Sequence, residues 1–361
     1  MNDNQISRII VEGFKSINEC NIKLNNLNIL IGCNGAGKSN FISIFKMLQN
    51  IIDKELGLYV GEQGINSLFY NGRKITKEII MNLIFGNNTY SFILIPTDDD
   101  RLMFRSELFC LEMGTIAFGG HFESKCDDET DNNIESFMKS ILKNQKWKVY
   151  HFHDTSKKAP VKQTHQINDN LSFATDGRNI AAFLYRLMQT EQETYNKIVK
   201  TVGLVAPFFE DFILRPNPLN EELIRLEWKS SGSDIPFTVS QLSDGTIRFI
   251  CLAILLLQPS HLQPETIIID EPELGLHPAA ITILANIIKT VSKTKQLIIS
   301  TQSVELLNEF EPKDIIVVDR ENGASTFNRL NETDLKLWLE EDYSLGELWK
   351  KNILGGRPSK W

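Results

Sequence analysis

A glycine-rich loop, GCNGAGKS, is the feature that most constrains how this chain can fold. It follows the apolar run Leu27–Ile31, and the pattern KSNFISIFKMLQNII after it has helical period. The loop fits the phosphate-binding pattern GxxxxGK[ST], in which glycines let backbone N–H groups turn toward phosphate oxygens at a helix N-terminus. A strand, a loop and a helix in this order predict a nucleotide site in an α/β fold.

The loop also supplies side chains for a phosphate. We expect Lys38 to reach the β- and γ-phosphates and the Ser39 hydroxyl to hold Mg²⁺. A chance glycine turn before a helix is the alternative, and the strand and helix on either side disfavour it. The residues predicted to contact the nucleotide are Asn34, Gly35, Ala36, Gly37, Lys38, Ser39 and Asn40.

A second acidic motif, ETIIIDEPELGLHP, follows a buried strand. The isoleucines at 267–269 predict a strand covered on both faces, which places Asp270 and Glu271 at its C-terminal tip, where ligands bind in open α/β sheets. We expect Asp270 to hold Mg²⁺ and Glu271 to be the base for an attacking water. The alternative is an acidic helix start, because Pro272 is tolerated in a first turn.

The segment VSQLSDGTIRF carries a third candidate phosphate site. Ser243, Asp244 and Gly245 come just before a buried helix that begins near Thr246. Ser243 or Asp244 is expected to cap this helix. Serine and glycine at a helix N-terminus also form a phosphate site.

These motifs carry a resemblance to a known superfamily. LSDGT is similar to the LSGGQ signature of ABC-type ATPases. GFKSI at 13–17, the phosphate loop, IIIDEPELGLHP and STQS follow in the order found in the heads of RecF, SMC and the overcoming-lysogenization-defect (OLD) family. The resemblance covers roughly residues 6–118 and 236–320. It implies an α/β fold: an ABC-type P-loop ATPase head with a mixed β-sheet core, an antiparallel β subdomain and an inserted helical lobe.

The resemblance also implies a composite site for ATP and Mg²⁺. In such families two heads meet head to tail, and the signature of one closes over the γ-phosphate bound by the other. The simplest partner is a second copy of this chain, so a homodimer is expected. The loop LGLHP at 274–278 matches the segment that crosses this interface. His277 is therefore expected to make a structural contact there rather than to act as a base.

Four segments are predicted along the chain. They are an N-terminal part of the ATPase core at 1–118, a largely helical inserted lobe at 119–235, a C-terminal part of the core at 236–330 and a tail at 331–361. Short alternating runs predict strands over 6–31 and antiparallel strands over 75–118, and LIRLEW at 223–228 predicts one strand. Helical period over 178–209 predicts helices in the lobe.

The switch segment LIISTQSVELL places Gln302 where a histidine often stands in the families that the chain resembles. A glutamine amide can hydrogen-bond a phosphate oxygen or orient water, but it cannot gain charge near neutral pH. We therefore expect a catalytic role for Gln302, slow turnover and no pH step from this residue. A polar turn with Ser303 capping the next helix is compatible with that role.

Composition and charge limit the partners and the cellular compartment that we expect for this protein. The net charge of −8 gives no overall basic field toward nucleic acid or anionic membrane, and the longest apolar run, FICLAILLL, is too short for a bilayer span. The five cysteines are scattered, with no pattern typical of metal sites, and the start of the chain does not resemble a secretory signal. A reduced, cytoplasmic protein without a membrane partner is expected.

The resemblance also implies a subgroup of these ATPases and a separate protein, the effector, that the ATPase would control. No nuclease-like acidic constellation is visible after the last core strand, and the ending YSLGELWKKNILGGRPSKW resembles the tails of stand-alone ATPases of prokaryotic defence systems, whose toxic nuclease is a separate polypeptide. We expect an ATPase that controls a separate effector, a nuclease or toxin, in antiphage defence. A RecF-like DNA-sensing ATPase is the alternative, and a transporter subunit is disfavoured by LSDGT. The tail at 355–358 is expected either to dock a partner or to pack on its own domain.

The segment 143–165 leaves two further alternatives open. Its lysines, interleaved with Trp147, Tyr150 and Phe152, would contact a nucleic-acid backbone or form a solvated loop. His151 and His153 have a spacing that points both to one side of a strand, and satisfied structural histidines are commoner there than a metal site. The lysines are Lys143, Lys146, Lys148, Lys157, Lys158 and Lys162.

Overall fold

The computed structural model describes residues 5–112, 114–126 and 147–356. Their Cα positions form two compact units that are interleaved along the chain. Unit 1 is drawn from Met1–Val149, Pro264–Asp270 and Lys295–Trp361, and unit 2 from Tyr150–Gln263 and Glu271–Thr294. The predicted segment boundaries are consecutive in sequence and remain a prediction. The predicted contacts of Lys143, Lys146, Arg357 and Pro358 lie outside the described residues.

The secondary structure alternates short strands with helices of up to four turns. The strands are β1 (Arg8–Phe14), β2 (Ile17–Lys23), β3 (Leu27–Ile31), β4 (Ile79–Phe85), β5 (Asn88–Pro96), β6 (Leu102–Leu111), β7 (Gly114–Phe118), β8 (Val149–Tyr150), β9 (His165–Gln166), β10 (Phe209–Ile213), β11 (Pro216–Asn217), β12 (Asn220–Ile224), β13 (Glu227–Ser230), β14 (Phe237–Thr238), β15 (Thr266–Asp270), β16 (Gln296–Thr301), β17 (Ile315–Glu321) and β18 (Ala324–Arg329). The helices are α1 (Lys38–Ile52), α2 (Leu56–Gln63), α3 (Ile65–Leu68), α4 (Ile180–Thr190), α5 (Gln192–Val205), α6 (Asp244–Leu257), α7 (Pro278–Val291), α8 (Val304–Leu307), α9 (Glu332–Glu340) and α10 (Leu345–Lys350).

The core sheet of unit 1 is mixed. Its strands follow the order β18, β17, β3, β16, β15, in which β17, β3, β16 and β15 are parallel and β18 pairs antiparallel with β17. Every residue of β3 is buried, as are Ile267, Ile268 and Ile269 of β15, which is the continuous apolar pattern of strands covered on both faces. The predicted mixed core is confirmed.

The second sheet of unit 1 is antiparallel, with the order β2, β1, β4, β5, β6, β7. In β4 the residues alternate between buried and partly buried positions, so one face of the strand turns to the core. The strands predicted over 75–118 are therefore confirmed as the antiparallel subdomain.

Helix α1 begins directly after the phosphate loop, at Lys38. Its buried residues recur at three- and four-residue spacing, and the rings of Phe41 and Phe45 meet edge to face with centroids 5.9 Å apart. Phe41 also packs on Phe327 of β18 at 5.2 Å. The start of α1 is fixed by these contacts, which keeps its N-terminus next to the loop.

Unit 2 combines the helices α4 to α7 with two small sheets, β10, β13, β14 and β11, β12, β9. The helices predicted over 178–209 are present as α4 and α5. The single strand predicted for LIRLEW is wrong, since β12 ends at Ile224 and β13 begins at Glu227. The intervening Arg225 and Leu226 let the chain pass from one sheet to the other.

Candidate nucleotide-binding site

Three strand ends meet at one edge of the core sheet. In the parallel register, Thr301 of β16 lies opposite Ile31 of β3, and Ser300 of β16 lies opposite Asp270 of β15. The phosphate loop begins immediately after Ile31, and Gln302 immediately after Thr301. The sheet therefore brings the phosphate loop, Asp270 and Gln302 to the same edge, as the motifs predicted.

The glycines of the phosphate loop are required by close approaches. A Cβ at Gly32 would overlap the Val318 carbonyl oxygen, and one at Gly37 would overlap the Ser325 hydroxyl. Gly37, with φ +122°, also stands at the N-cap of α1. A side chain at either position would push the loop away from the sheet, so the glycine pattern here follows from packing as well as from phosphate access.

Lys38 is folded onto its own loop. Its ammonium donates to the carbonyl oxygens of Gly32 at 2.6 Å and Cys33 at 3.1 Å, and the residue is 6% exposed. Ser39 and Gly35 are exposed on the loop. The cation is thus held inside the curve of the loop, where a phosphate oxygen would be its natural counter-ion.

A chain of hydrogen bonds braces the loop from outside. The Ser325 hydroxyl donates to the Ala36 carbonyl at 2.6 Å, and it shares a 2.6 Å hydrogen bond with Ser16. Because the single Ser325 proton is committed to Ala36, Ser16 is the donor in that pair. The Asn40 amide in turn donates to Ser16 Oγ at 2.6 Å. Asn40, predicted to contact the nucleotide, is thus tied to the GFKSI segment.

A strap near the end of the described chain also packs on the loop. The Cys33 N–H donates to the Gly356 carbonyl at 2.7 Å, and the Gly356 N–H donates to Asp319 Oδ2 at 2.9 Å. We call Gly355 and Gly356 the glycine strap. Of the two alternatives for the tail, packing on its own domain describes these two residues.

The acidic pair at the end of β15 is held in a defined geometry. The buried Ser300 hydroxyl donates to Asp270 Oδ1 through a short hydrogen bond, which orients this carboxylate. Glu271 follows with φ +46°, in the left-handed region that non-glycine residues rarely adopt. Backbone strain of this kind clusters at functional positions, which agrees with the predicted role of Glu271 as a base.

The switch turn after β16 is polar and ordered. Ser303 caps α8, since its hydroxyl accepts from the Leu306 N–H at 3.0 Å, as predicted. The Thr301 hydroxyl accepts from the Ser303 N–H at 2.9 Å. Gln302 is half-buried between these two anchored residues, so its amide leaves the sheet edge from a fixed backbone.

A polar cleft of about 510 Å³ opens beside the start of α1, within unit 1. Its size is in the range of small-molecule sites. Lys15, with φ +51°, donates to Ser43 Oγ at 3.2 Å and Gln63 Oε1 at 3.4 Å. Burial, and then the charge of Lys46, lower the pKa of Lys15. The cleft is lined by Lys15, Ser16, Asn40, Gln63, Ser67, Tyr70, Asn71, Arg320 and Gly323.

The predicted signature lies in unit 2, at the N-terminus of α6. Ser243 is the cap, since its hydroxyl accepts from the Thr246 N–H at 3.1 Å. A Cβ at Gly245 would overlap the Gly275 carbonyl oxygen, so glycine is required where the signature meets the 274–278 loop. Ser243 and Asp244 are exposed.

The histidines have structural contacts. His277 caps α7, and its Nδ1 accepts from the Ala279 N–H at 3.3 Å, consistent with a structural role. His151 and His153 meet edge to face with centroids 5.8 Å apart. In residues 5–112, 114–126 and 147–356, no group of three or more His, Cys, Asp or Glu side chains is arranged around a common metal position.

Burial of its aromatic side chains disfavours part of the predicted nucleic-acid contact of the lysine-rich segment. Trp147, Tyr150 and Phe152 are buried, with exposures of 1%, 2% and 7%, so their rings cannot stack on bases. Lys157 and Lys158 are exposed, whereas Lys162 is turned inward.

Every helix in the described part of the chain is too short or too polar to cross a membrane.

Several residues of this site escaped the sequence analysis. Ser16 and Lys15 lie in GFKSI, which served there only as a family marker, and a lysine and serine next to each other were the available signal. Ser300 stands in STQS, the motif in which Gln302 is the predicted functional residue. Ser325 carries no local signal, because it reaches the loop only through the β17–β18 pairing. Gly356 belongs to the tail at 355–358, but its contact with the phosphate loop could not be read from the sequence.

Comparisons with known proteins bear on the family and the fold of this chain. A family model described as "AAA domain, putative AbiEii toxin, Type IV TA system" matches residues 27–308. The Old nuclease of Escherichia phage P2 is 28% identical over 183 residues, which are 46% of this chain and 30% of that protein. The chain thus spans less than a third of that relative's length.

Solved structures show the fold. An SMC head bound to the C-winged helix domain of ScpA has a TM-score of 0.57 at 18% identity, with 91% of this chain and 99% of that chain covered. An SMC head with an extended coiled coil, bound to the C-terminal domain of ScpA from Pyrococcus furiosus, has a TM-score of 0.56 at 16% identity, covering 93% and 99%. The predicted head fold is confirmed. Since the family model spans more than half of its residues, this chain belongs to that AAA-domain family.

Proposed function

We propose that this chain binds ATP with Mg²⁺ at the edge of the core sheet and hydrolyses it slowly. The observation that carries the proposal is the strand register, which brings the phosphate loop, Asp270 and Gln302 to one edge of the sheet. A phosphate-binding loop beside a carboxylate and an amide provides cation, metal ligand and water-orienting groups for phosphoryl transfer.

Each group has a defined part in this proposal. Lys38 would exchange its bonds to the loop carbonyls for the β- and γ-phosphate oxygens. Ser39 and Asp270 would hold Mg²⁺, which neutralises developing charge on the phosphates. Glu271 would accept the proton of the attacking water, and Gln302 would orient that water or a γ-phosphate oxygen.

The polar cleft next to α1 supports a place for the rest of the nucleotide. It lies on the side of the loop that Ser16 and Asn40 brace, and Lys15 supplies a positive charge there. We propose that the ribose and base of ATP occupy this cleft, with Lys15 near the α-phosphate end.

A composite site completes the proposal. The exposed Ser243 and Asp244 stand with Gly245 at the N-terminus of α6, a place suited to a phosphate. We propose that two copies of the chain join on ATP, each signature closing over the nucleotide held by the other. The SMC-head fold and the signature motif support this arrangement.

The relatives support a proposal for what the ATP-bound dimer controls. The family description refers to a toxin–antitoxin system, and a nuclease of phage P2 matches in part of its length. We propose that the ATP-bound dimer controls a separate nuclease or toxin in antiphage defence in the cytoplasm.

The enzymatic test compares Glu271→Gln with Glu273→Gln, a matched change two residues away in the same loop. We expect Glu271→Gln to bind ATP, to lose hydrolysis and to accumulate as an ATP-dependent dimer by light scattering, whereas Glu273→Gln keeps hydrolysis. Lys38→Ala should lose ATP binding, and chelation of Mg²⁺ should stop hydrolysis. Full hydrolysis by Glu271→Gln would contradict the assignment of the base.

The cellular test expresses the chain with its genomic neighbours and challenges the cells with phage. Co-purification identifies the effector, and Lys38→Ala should abolish protection. Protection by Lys38→Ala equal to that of the wild type would contradict nucleotide-controlled defence while leaving the enzymatic assignment intact.

A further inference from the structure

Within unit 2, the signature's acidic residue lies at ion-pair distance from a lysine of the lysine-rich segment. Lys162 Nζ lies 3.4 Å from Asp244 Oδ1, and it also donates to the Thr155 carbonyl through a short hydrogen bond. The side chain of Lys162 is 8% exposed, while that of Asp244 is 60% exposed. The lysine therefore lies behind the aspartate, which faces solvent.

The segment that carries Lys162 is fastened to the signature helix by Arg248. Its guanidinium donates to the carbonyl oxygens of Phe152 at 3.1 Å and His153 at 2.9 Å. A further N–H donates to the Leu274 carbonyl at 2.9 Å, in the loop that packs against Gly245. One half-buried cation thus joins the residue 152–155 segment, α6 and the 274–278 loop, all in unit 2.

The charge arrangement has a consequence for a phosphate at this helix end. The signature LSGGQ has glycine where this chain has Asp244, and a carboxylate there stabilises the helix dipole but repels a polyphosphate. A lysine at ion-pair distance offsets that repulsion. Fixing Lys162 through Thr155, and the neighbouring segment through Arg248, keeps this counter-charge in place without a partner protein.

We infer that Lys162 is a positioning residue for the composite ATP site: its ammonium neutralises Asp244, so that the signature can close over the nucleotide of a second copy. The inference rests on the proposed ATP-dependent dimer. It gives the segment 150–162 a function in signature support, in place of the nucleic-acid contact considered for its lysines.

The test measures ATP-dependent dimerisation in the Glu271→Gln background. We expect Lys162→Met to weaken the dimerisation constant about tenfold, as the unpaired carboxylate meets phosphate charge. Adding Asp244→Asn to Lys162→Met should restore it to within about twofold, because the repelling charge is gone. The matched control, Lys158→Met, removes an exposed lysine of the same segment and should leave dimerisation unchanged. Binding of a fluorescent ATP analogue to dilute monomer should not change in any of these variants.

The outcomes separate the inference from the proposal beneath it. If Glu271→Gln binds ATP and does not dimerise, the composite site is wrong and the inference falls with it. If Glu271→Gln dimerises and Lys162→Met has no effect, only the inference is refuted. A loss that Asp244→Asn does not restore would also refute it, since that pattern shows a purely structural role through Thr155. Added salt should shrink the Lys162→Met deficit by screening.

Discussion

Replacing Gly356 with alanine tests whether the glycine strap holds the phosphate loop. Gly355 and Gly356 have φ of +81° and +73°, so alanine at either position costs about 1–2 kcal/mol in the left-handed region. At 356 the added Cβ would also come within 3.2 Å of Val317 Cγ1 and 3.3 Å of Gly32 Cα. At 355 the nearest atom is Asp319 Oδ2 at 3.5 Å, an ordinary contact. Gly355→Ala is therefore a matched control.

The expected difference follows from the bonds that the strap makes. Displacing Gly356 removes the 2.7 Å bond from Cys33, about 1 kcal/mol, and the 2.9 Å bond to the Asp319 carboxylate, about 1.5–3 kcal/mol. Gly356→Ala should lower the free energy of unfolding by about 4 kcal/mol, against about 1.5 kcal/mol for Gly355→Ala.

Urea denaturation followed by fluorescence measures the unfolding free energies. Titration with a fluorescent ATP analogue measures the affinity of the phosphate loop for nucleotide. ATP affinity should fall more in Gly356→Ala, because the Cys33 end of the loop loses its anchor. Equal unfolding free energies and equal ATP affinities in the two variants would refute the reasoning, since the left-handed backbone alone would then explain both.

Three further changes probe the same site. Ser325→Ala removes the donor to the buried Ala36 carbonyl and should lower the unfolding free energy by about 1–3 kcal/mol by urea denaturation, with weaker ATP binding. Because burial lowers the pKa of Lys15, its ammonium is lost on raising the pH earlier than that of an ordinary lysine. ATP affinity titrated from about pH 7 to 10 should therefore decline sooner in the wild type than in Lys15→Arg, whose guanidinium stays charged. Gln302→Ala should lower kcat about tenfold and leave ATP affinity nearly unchanged, and an unchanged kcat would contradict its role.

Local chemistry made the centre of the site predictable from sequence. The glycines and Lys38 lie within one loop whose spacing encodes phosphate binding, and the apolar run before Asp270 encodes a buried strand. Ser243 and Ser303 were predictable as caps, because capping depends on residues three positions away.

The supporting contacts could not be predicted, because each joins residues that are distant in sequence. Ser325 meets Ala36 across 289 positions, and Lys162 meets Asp244 across 82. The break between β12 and β13 has the same origin: LIRLEW has the composition of one strand, and the separate pairings of Ile224 and Glu227 divide it.

The glycine strap also bears on how the protein is made. The phosphate loop is complete by residue 40, but the bond from Cys33 to the Gly356 carbonyl needs a part of the chain that is synthesised more than 300 residues later. On the ribosome, a nascent chain would therefore carry its nucleotide motif without this anchor for more than 300 further residues of synthesis. The order of synthesis thus delays a fully braced ATP site until the glycine strap has been added.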